Sequence, residues 1–374
     1  MLVIDDSGDR KDGTRTAHVG HQWLGRYGKT DSGVVTVTTV WADERLYYPV
    51  HAVPYTPARH FGKGKNDPAF RTKLAIGADL AVKARAAGFV FRAVCADSAY
   101  GDQDGFRGEL AQAGLPFVMA LKPRRGTWAY GPDAHTPVDA ARALAWGSPD
   151  DPGDWQPVTR AFRDGHTERW FAADATLGWW GPDGARRLVV ATADPATLPG
   201  KATWYLVTNL PRPGGPREAE NPHPAAGLAE IVRIYGIRHW TEQGYKQVKD
   251  QLGWADFQVR SDIAIRRHQA LVNCAFSFCW AAWFADHPPH DAAPPRPGPG
   301  RGERGAAQDR PATGAVLATG TARGARLAFP LDRAAALVGR MVQGAPATAA
   351  ANPDQLPQRR LRPAPLYPEL TNYR

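Results

Sequence analysis

The chain has 374 residues, with 46 Lys and Arg against 37 Asp and Glu, and a formal net charge of +9. This length allows two or three domains, and the basic balance favours a polyanionic partner, nucleic acid first, without fixing a function. Three cysteines exclude a complete disulfide framework and show no zinc spacing, and neither a signal peptide nor a membrane-spanning run is recognisable, so we expect a cytoplasmic, nucleoid-associated protein without a membrane partner.

The first predicted elements are strands. Residues 2–4 form an apolar run that ends at Asp5 and Asp6, the pattern of a buried strand that delivers carboxylates at its end. Further strands are predicted by alternating or apolar runs at 18–27, 34–41 and 45–53, with 28–33 as a turn. Because a domain rarely starts with its central strand, we expect an N-terminal segment that this sequence lacks.

Helices then alternate with strands. Residues 67–88 and 103–113 have helical composition and period, whereas 89–95 and 116–121 are predicted strands. Asp97 follows the first of these two strands directly. A run of strands followed by helix, strand, helix and strand is the order of a ribonuclease H-like α/β core with a mixed sheet.

Four regions are predicted. Residues 1–123 are the first part of the α/β core, and 124–201 are a mainly β insertion, rich in tryptophan and in Gly, Pro and Asp turns. Residues 202–286 complete the core with two late helices. Residues 287–374 carry 12 Arg, no Lys and 6 acids among many Pro and Gly, which predicts a largely disordered basic tail where only 327–343 is able to fold.

The late helices differ in character. A helix that starts at about residue 226 and includes 234–250 places five polar residues within an arc of roughly 80°, namely Tyr235, Arg238, Glu242, Lys246 and Lys249. This pattern also suits a solvated face with i,i+4 ion pairs, each worth only about 0.2–0.5 kcal/mol. A second helix at 262–284 has Ala270, Leu271, Cys274 and Phe278 at core spacing.

Carboxylates from separate elements favour a metal site over a solvated face. In a ribonuclease H-like sheet the first strand and the strand before Asp97 are central neighbours, and the late helix adds Glu242. Three crowded carboxylates need cations, and their hard oxygens suit Mg²⁺ or Mn²⁺. Two such ions about 3.5–4 Å apart activate a water or a 3′-hydroxyl for phosphodiester chemistry. Asp5 and Asp6 point to opposite sides of their strand, so only one of them can face the site.

The run Tyr235-x2-Arg238-x3-Glu242-x6-Lys249 matches at every spacing the Y-x2-R-x3-E-x6-K signature of DDE transposases of bacterial insertion sequences. The segments IDDSG (4–8) and VCADSAYG (94–101) also resemble that family's first two acidic motifs, and the resemblance covers residues 1–285.

The resemblance implies a role for each motif residue. Asp97, Glu242 and one of the paired aspartates are the implied metal ligands, with Asp6 preferred to Asp5 because the family pattern is Asp followed by Thr or Ser. The implied phosphate-binding residues are Tyr235, Arg238 and Lys249, and Lys246 on the same face is expected to contact the DNA backbone.

The expected activity is that of a transposase. It would cut transposon-end DNA in a Mg²⁺- or Mn²⁺-dependent reaction with two ions and join the 3′-hydroxyl to target DNA. A homodimer or higher assembly on DNA is expected, and no small-molecule substrate. The alternatives are a transposon-derived, truncated DNA-binding protein without cleavage activity and a ribonuclease H-like nuclease or resolvase.

Overall fold

A computed structural model describes residues 1–162, 166–200 and 202–286. The strands within these ranges are β1 (Leu2–Arg10), β2 (Gly20–Leu24), β3 (Lys29–Ala42), β4 (Tyr47–Pro54), β5 (Val94–Ala96), β6 (Phe117–Ala120), β7 (Gln156–Ala161), β8 (Thr167–Ala175), β9 (Arg187–Thr192) and β10 (Thr203–Thr208). The helices are α1 (Lys73–Ala86), α2 (Ser98–Gly101), α3 (Asp104–Gln112), α4 (Pro137–Arg142), α5 (Leu228–Gly236), α6 (His239–Gln251) and α7 (Asp262–Asp286). The tail prediction for 287–374 lies outside the described residues.

One mixed sheet organises the described chain. Its order is β2-β3-β1-β5-β6-β10-β9-β8-β7, with β4 also paired to β3. Strand β1 pairs antiparallel with β3 and parallel with β5, and β6 is parallel to β5. The predicted ribonuclease H-like mixed sheet is confirmed, and the strand that carries Asp5 and Asp6 lies beside the strand that precedes Asp97.

The strands between Asp97 and Glu242 extend this same sheet. Strand β9 pairs with β10, β8 with β9 and β7 with β8, all antiparallel. The mainly β insertion of the predicted fold is therefore present as an extension of the central sheet. The division of the chain at residues 123, 201 and 286 stays a prediction.

Two apolar layers cover the two faces of the sheet. On one face Val3, Cys95 and Val118 pack with residues of α5, α6 and α7. On the other face Leu2, Ile4 and other strand residues pack with α1 and α3. Because side chains alternate along a strand, this arrangement decides which helices each β1 residue meets.

Two predicted boundaries were wrong. The segment 28–33 is a turn only at Gly28, since the following residues pair with β2 as the start of β3. The helix predicted through 234–250 is broken, because α5 ends at Gly236 and α6 begins at His239. At the break, the N–H groups of Arg238, Trp240 and Thr241 bond carbonyls three residues earlier, so the chain tightens into 3₁₀-type turns.

The predicted core face of α7 was also wrong. Leu271 and Phe278 are 69% and 58% exposed, whereas Val272 and Phe276 are buried. Apolar residues surround this helix, so its periodicity does not select a face. The face that is buried also makes two polar contacts, since Trp280 Nε1 donates to the Tyr47 carbonyl and Gln269 Nε2 to Thr36 Oγ1. None of the helices within the described ranges has the length and apolar character needed to cross a membrane.

A substitution at Gly101 tests how closely α2 packs on β6. A Cβ at this position would overlap the carbonyl oxygen of Ala120, whereas nothing lies within 4 Å of a Cβ at Gly105. We expect Gly101→Ala to lower the free energy of unfolding by about 1–3 kcal/mol because the backbone must shift. The matched Gly105→Ala should raise it by about 0.4–1 kcal/mol. Urea unfolding of both variants checks this, and an unaffected Gly101→Ala would contradict the packing.

Candidate active site

Asp5 and Asp97 come level at the centre of the sheet. The parallel register pairs Val3 with Cys95, so two further residues along each strand lead to Asp5 and Asp97 on the same face. Asp97 follows β5 and caps α2, where its Oδ1 accepts from the N–H of Ala99 at 2.9 Å. The register therefore brings Asp5, rather than the preferred Asp6, level with Asp97, and the choice of ligand stays a prediction.

Burial of the Asp5 carboxyl group disfavours its ionised form. Desolvation raises the pKa of Asp5 to about 7, against the opposing effect of Arg238, and the charges of Asp97 and Asp6 add to the rise. A carboxyl group with this pKa in a crowded acidic site is typical of functional sites.

Asp6 faces the opposite side of the sheet. Its Oδ2 lies 2.5 Å from Nζ of Lys73, the first residue of α1. Asp6 thus meets the helices of the α1 and α3 layer, whereas Asp5 meets the layer that contains α6. Of the pair, Asp5 contacts Arg238, the partner of Glu242, although both aspartates line a cavity that Glu242 also lines.

Arg238 lies between Asp5 and Glu242. One guanidinium nitrogen, Nη1, is 3.4 Å from Asp5 Oδ2, and the other, Nη2, is 3.0 Å from Glu242 Oε1. The guanidinium also lies over the Tyr235 ring, 5.8 Å from its centre. Burial opposes the charge, but Tyr235, Asp5 and Glu242 raise the pKa of Arg238 above its ordinary value, so it is a permanent cation here.

Carboxylate oxygens are ligands that a hard divalent cation prefers. In this structure, however, Asp5 and Glu242 bind the guanidinium of Arg238. Within residues 1–162, 166–200 and 202–286, no three His, Cys, Asp or Glu side chains are gathered closely enough to hold a metal ion. Asp5 and Glu242 would have to share the space that Arg238 now fills. The donor set fits Mg²⁺ or Mn²⁺, and gathering these donors requires Arg238 to move.

A cavity of about 530 Å³ opens beside these acids. We call it the acidic cavity, and its lining includes Asp5, Asp6, Glu242, Lys246 and Arg26. Lys246 is exposed on its rim. The lining therefore combines carboxylates with the cationic side chains of Arg26, Lys246 and Lys249, an arrangement able to accept a phosphate group near the acids.

Lys249 and Tyr235 lie inside the protein. Lys249 Nζ is 2.7 Å from Asp9 Oδ1, and these side chains are only 6% and 4% exposed. Lys249 also donates to the Gly8 carbonyl, and Trp254 Nε1 donates to Asp9 Oδ2 at 2.9 Å. Tyr235 is buried as well. Of the predicted phosphate-binding residues, the structure therefore places Lys246 at the surface and Arg238 among the acids. Tyr235 lies in the interior, and Lys249 lies in the lining of the acidic cavity with its side chain nearly enclosed.

Sequence reasoning missed Asp9 and Lys73, which pair with site residues. A signal for Asp9 existed, since Asp5 and Asp9 share a face once β1 is extended to Arg10. No comparable signal marks Lys73, because a lysine at the start of a helix is an ordinary surface residue and its contact with Asp6 depends on helix packing.

Comparison with known proteins now adds to this geometry. Residues 1–173 match the family described as DDE superfamily endonuclease. These residues belong to the DDE superfamily. The chain is also similar to a protein of Microchaete diplosiphon named "Probable transposase for insertion sequence element IS701", with 31% identity over 260 residues. That match covers 69% of this chain and 60% of the relative, so the chain spans less than two thirds of the curated relative.

The DDE region contains Asp5, Asp6 and Asp97 but ends before Glu242. The predicted resemblance to DDE transposases of insertion sequences is confirmed. The place of Glu242 as third acid depends on the spacing of the signature and on its link to Asp5 through Arg238.

The buried Asp9–Lys249 pair fixes α6 to β1, and substitutions of the two residues test this. Removing one partner leaves a buried charge unpaired, so Lys249→Met should lower the free energy of unfolding by about 3–5 kcal/mol. The double variant with Asp9→Asn should recover a large part of this loss. The control Lys246→Met, on the exposed face of the same helix, should stay within about 0.5 kcal/mol. Denaturant unfolding measures all three, and additive effects of the two changes would refute the pairing.

The raised pKa of Asp5 predicts a pH-dependent penalty. The carboxyl is protonated in the folded state below about pH 7 but ionises near pH 4 when unfolded, so its cost to stability grows from pH 4 to 7 and is complete above 7. The variant Asp5→Asn lacks this cost. Its free energy of unfolding relative to the unmodified protein should rise by about 2 kcal/mol between pH 5 and pH 8. A pH-independent difference would show that Asp5 titrates normally.

Proposed function

We propose that this protein is a transposase that cleaves transposon-end DNA in a divalent-metal-dependent reaction and transfers the 3′-hydroxyl into target DNA. The observation that carries the proposal is the single guanidinium of Arg238 joining Asp5 to Glu242 beside Asp97, at the spacing of the transposase signature. The match to DDE superfamily endonucleases and to the named transposase supports the reaction class.

The proposed ligand set is Asp5, Asp97 and Glu242. The motif pattern preferred Asp6, but the register with β5 and the contact with Arg238 favour Asp5. When bound, a pair of Mg²⁺ or Mn²⁺ ions would activate the attacking oxygen and stabilise the leaving oxygen of a phosphodiester. The chain itself holds the carboxylates on a rigid strand, on a helix cap and on α6.

DNA would approach through the acidic cavity. Lys246 and Arg26 are exposed cationic residues of its lining, and they suit the phosphate backbone rather than the bases. Phosphate contact by Tyr235 and Lys249 stays a prediction, since both are enclosed in this structure. A homodimer or higher assembly is proposed because an element has two ends to be joined.

A second candidate is a transposon-derived protein that binds DNA without cleaving it. The favouring observation is that the three acids are not gathered into a metal site within the described residues. The two candidates differ in one property, which is strand cleavage in the presence of a divalent metal.

Cleavage assays on DNA that carries the genomic flanks of this element, with Mg²⁺ or Mn²⁺, separate the candidates. We expect cleavage by the unmodified protein and a loss of at least about 100-fold for Asp5→Asn, Asp97→Asn and Glu242→Gln, since losing even a supporting partner of a metal ligand costs about 10–100-fold. DNA binding should persist in all three.

Two matched variants sharpen this test. Asp6→Asn should keep cleavage within about tenfold of the unmodified protein, and Glu230→Gln on α5, which pairs with Arg92 away from the acids, should leave it unchanged. Loss with Asp6→Asn but not with Asp5→Asn would exchange their roles. DNA binding without cleavage by the unmodified protein would establish the second candidate.

A further inference from the structure

Arg238 occupies the place where a cation shared by Asp5 and Glu242 would sit. Both carboxylates point at its guanidinium, at 3.4 and 3.0 Å. A divalent ion between the same oxygens would face a permanent positive charge at contact distance, and like charges at this separation repel strongly. The guanidinium and the metal therefore exclude each other in this arrangement.

The two contacts of Arg238 differ in strength. Glu242 is 63% exposed, so its i,i+4 contact with Arg238 is weak and easily exchanged. Asp5 and Arg238 are both well enclosed, so removing either one leaves the other buried without its opposite charge. Metal binding without DNA would strip Asp5 of this partner and leave the guanidinium without a carboxylate.

The backbone at Arg238 allows the side chain to be redirected. The residue lies in the break between α5 and α6, where 3₁₀-type turns replace α-helical hydrogen bonds. Its two carboxylate partners line the acidic cavity, so a phosphate bound there would come within reach of the guanidinium. Guanidinium groups bind phosphate with paired hydrogen bonds.

We propose that Arg238 is an internal counter-ion of the metal site, which holds Asp5 and Glu242 in the free protein and is transferred to a DNA phosphate when DNA binds. Metal and DNA binding then favour each other. DNA removes Arg238 from the metal position, and the metal frees Arg238 from Asp5 and Glu242 so that it can bind a phosphate. By linkage, DNA must raise metal affinity by the same factor by which metal raises DNA affinity. This inference rests on the proposed ligand set and adds a gate that keeps the free protein in a metal-poor state.

Metal binding can be measured without catalysis. Mn²⁺ is titrated into the 374-residue chain, and unbound Mn²⁺ is followed by electron paramagnetic resonance, with and without a saturating 30-base-pair duplex of arbitrary sequence at low salt. The Mn²⁺ bound by the duplex alone is measured separately and subtracted. We expect the duplex to raise Mn²⁺ affinity about tenfold, within the 5–150-fold range of typical couplings. Asp5→Asn should abolish this high-affinity binding.

Variants of Arg238 locate the coupling. Arg238→Gln should bind Mn²⁺ about tenfold more tightly than the unmodified protein without DNA, and the duplex should then add less than twofold. Arg238→Lys keeps the charge and should keep the low DNA-free affinity. The control Arg233→Gln, which removes an exposed partner of Glu44 on α5, should behave like the unmodified protein.

Equal or weaker Mn²⁺ binding by Arg238→Gln without DNA overturns the inference. If that variant does not fold, the reciprocal measurement on the unmodified protein decides, since Mn²⁺ must raise its affinity for the duplex by the same factor and a factor of one overturns the coupling. Failure of the proposed function is separate. Coupling without cleavage removes the transposase reaction alone, whereas cleavage without coupling removes the gate alone.

Discussion

Each aspartate of β1 is paired with a cation from a different part of the chain. Asp6 pairs with Lys73 on α1, Asp5 with Arg238 between α5 and α6, and Asp9 with Lys249 on α6. A buried carboxylate without such a partner costs several kcal/mol, so these contacts restrict where the helices can lie. Strand β1 thus carries both the proposed metal ligand Asp5 and the carboxylate of Asp9, which fixes α6 through Lys249.

The sequence predicted most of the fold and part of the site. The order of strands and helices was sufficient for the mixed sheet, because local periodicity and connection rules apply to it directly. The acids were recognised because each follows an apolar run or belongs to a spaced signature. The choice between Asp5 and Asp6 depends instead on how β1 pairs with its neighbours, and the sequence motif carries no information about that register.

Other features depend on tertiary contacts. The exposed face of α7 and the buried state of Lys249 follow from packing, since Leu271 and Val272 are equally apolar and a lysine is ordinarily solvated. The break after Gly236 separates Tyr235 from Glu242, so residues that share one arc of an ideal helix have different surroundings. Regular helical spacing therefore located the motif and left the role of each side chain open.

The nine paired positions between β1 and β3, from Leu2 with Trp41 to Arg10 with Gly33, have a consequence for evolution. A shift of this ladder by one position would exchange the sheet faces to which Asp5 and Asp6 point, since neighbouring residues face opposite sides. Gaining or losing one residue ahead of the aspartates would do the same. Duplicated aspartates make the local motif tolerant of such slips, while the long ladder keeps a single alignment in the folded protein. The long pairing with β3, which carries none of the three proposed ligands, therefore keeps Asp5 and Asp6 on their own sides of the sheet.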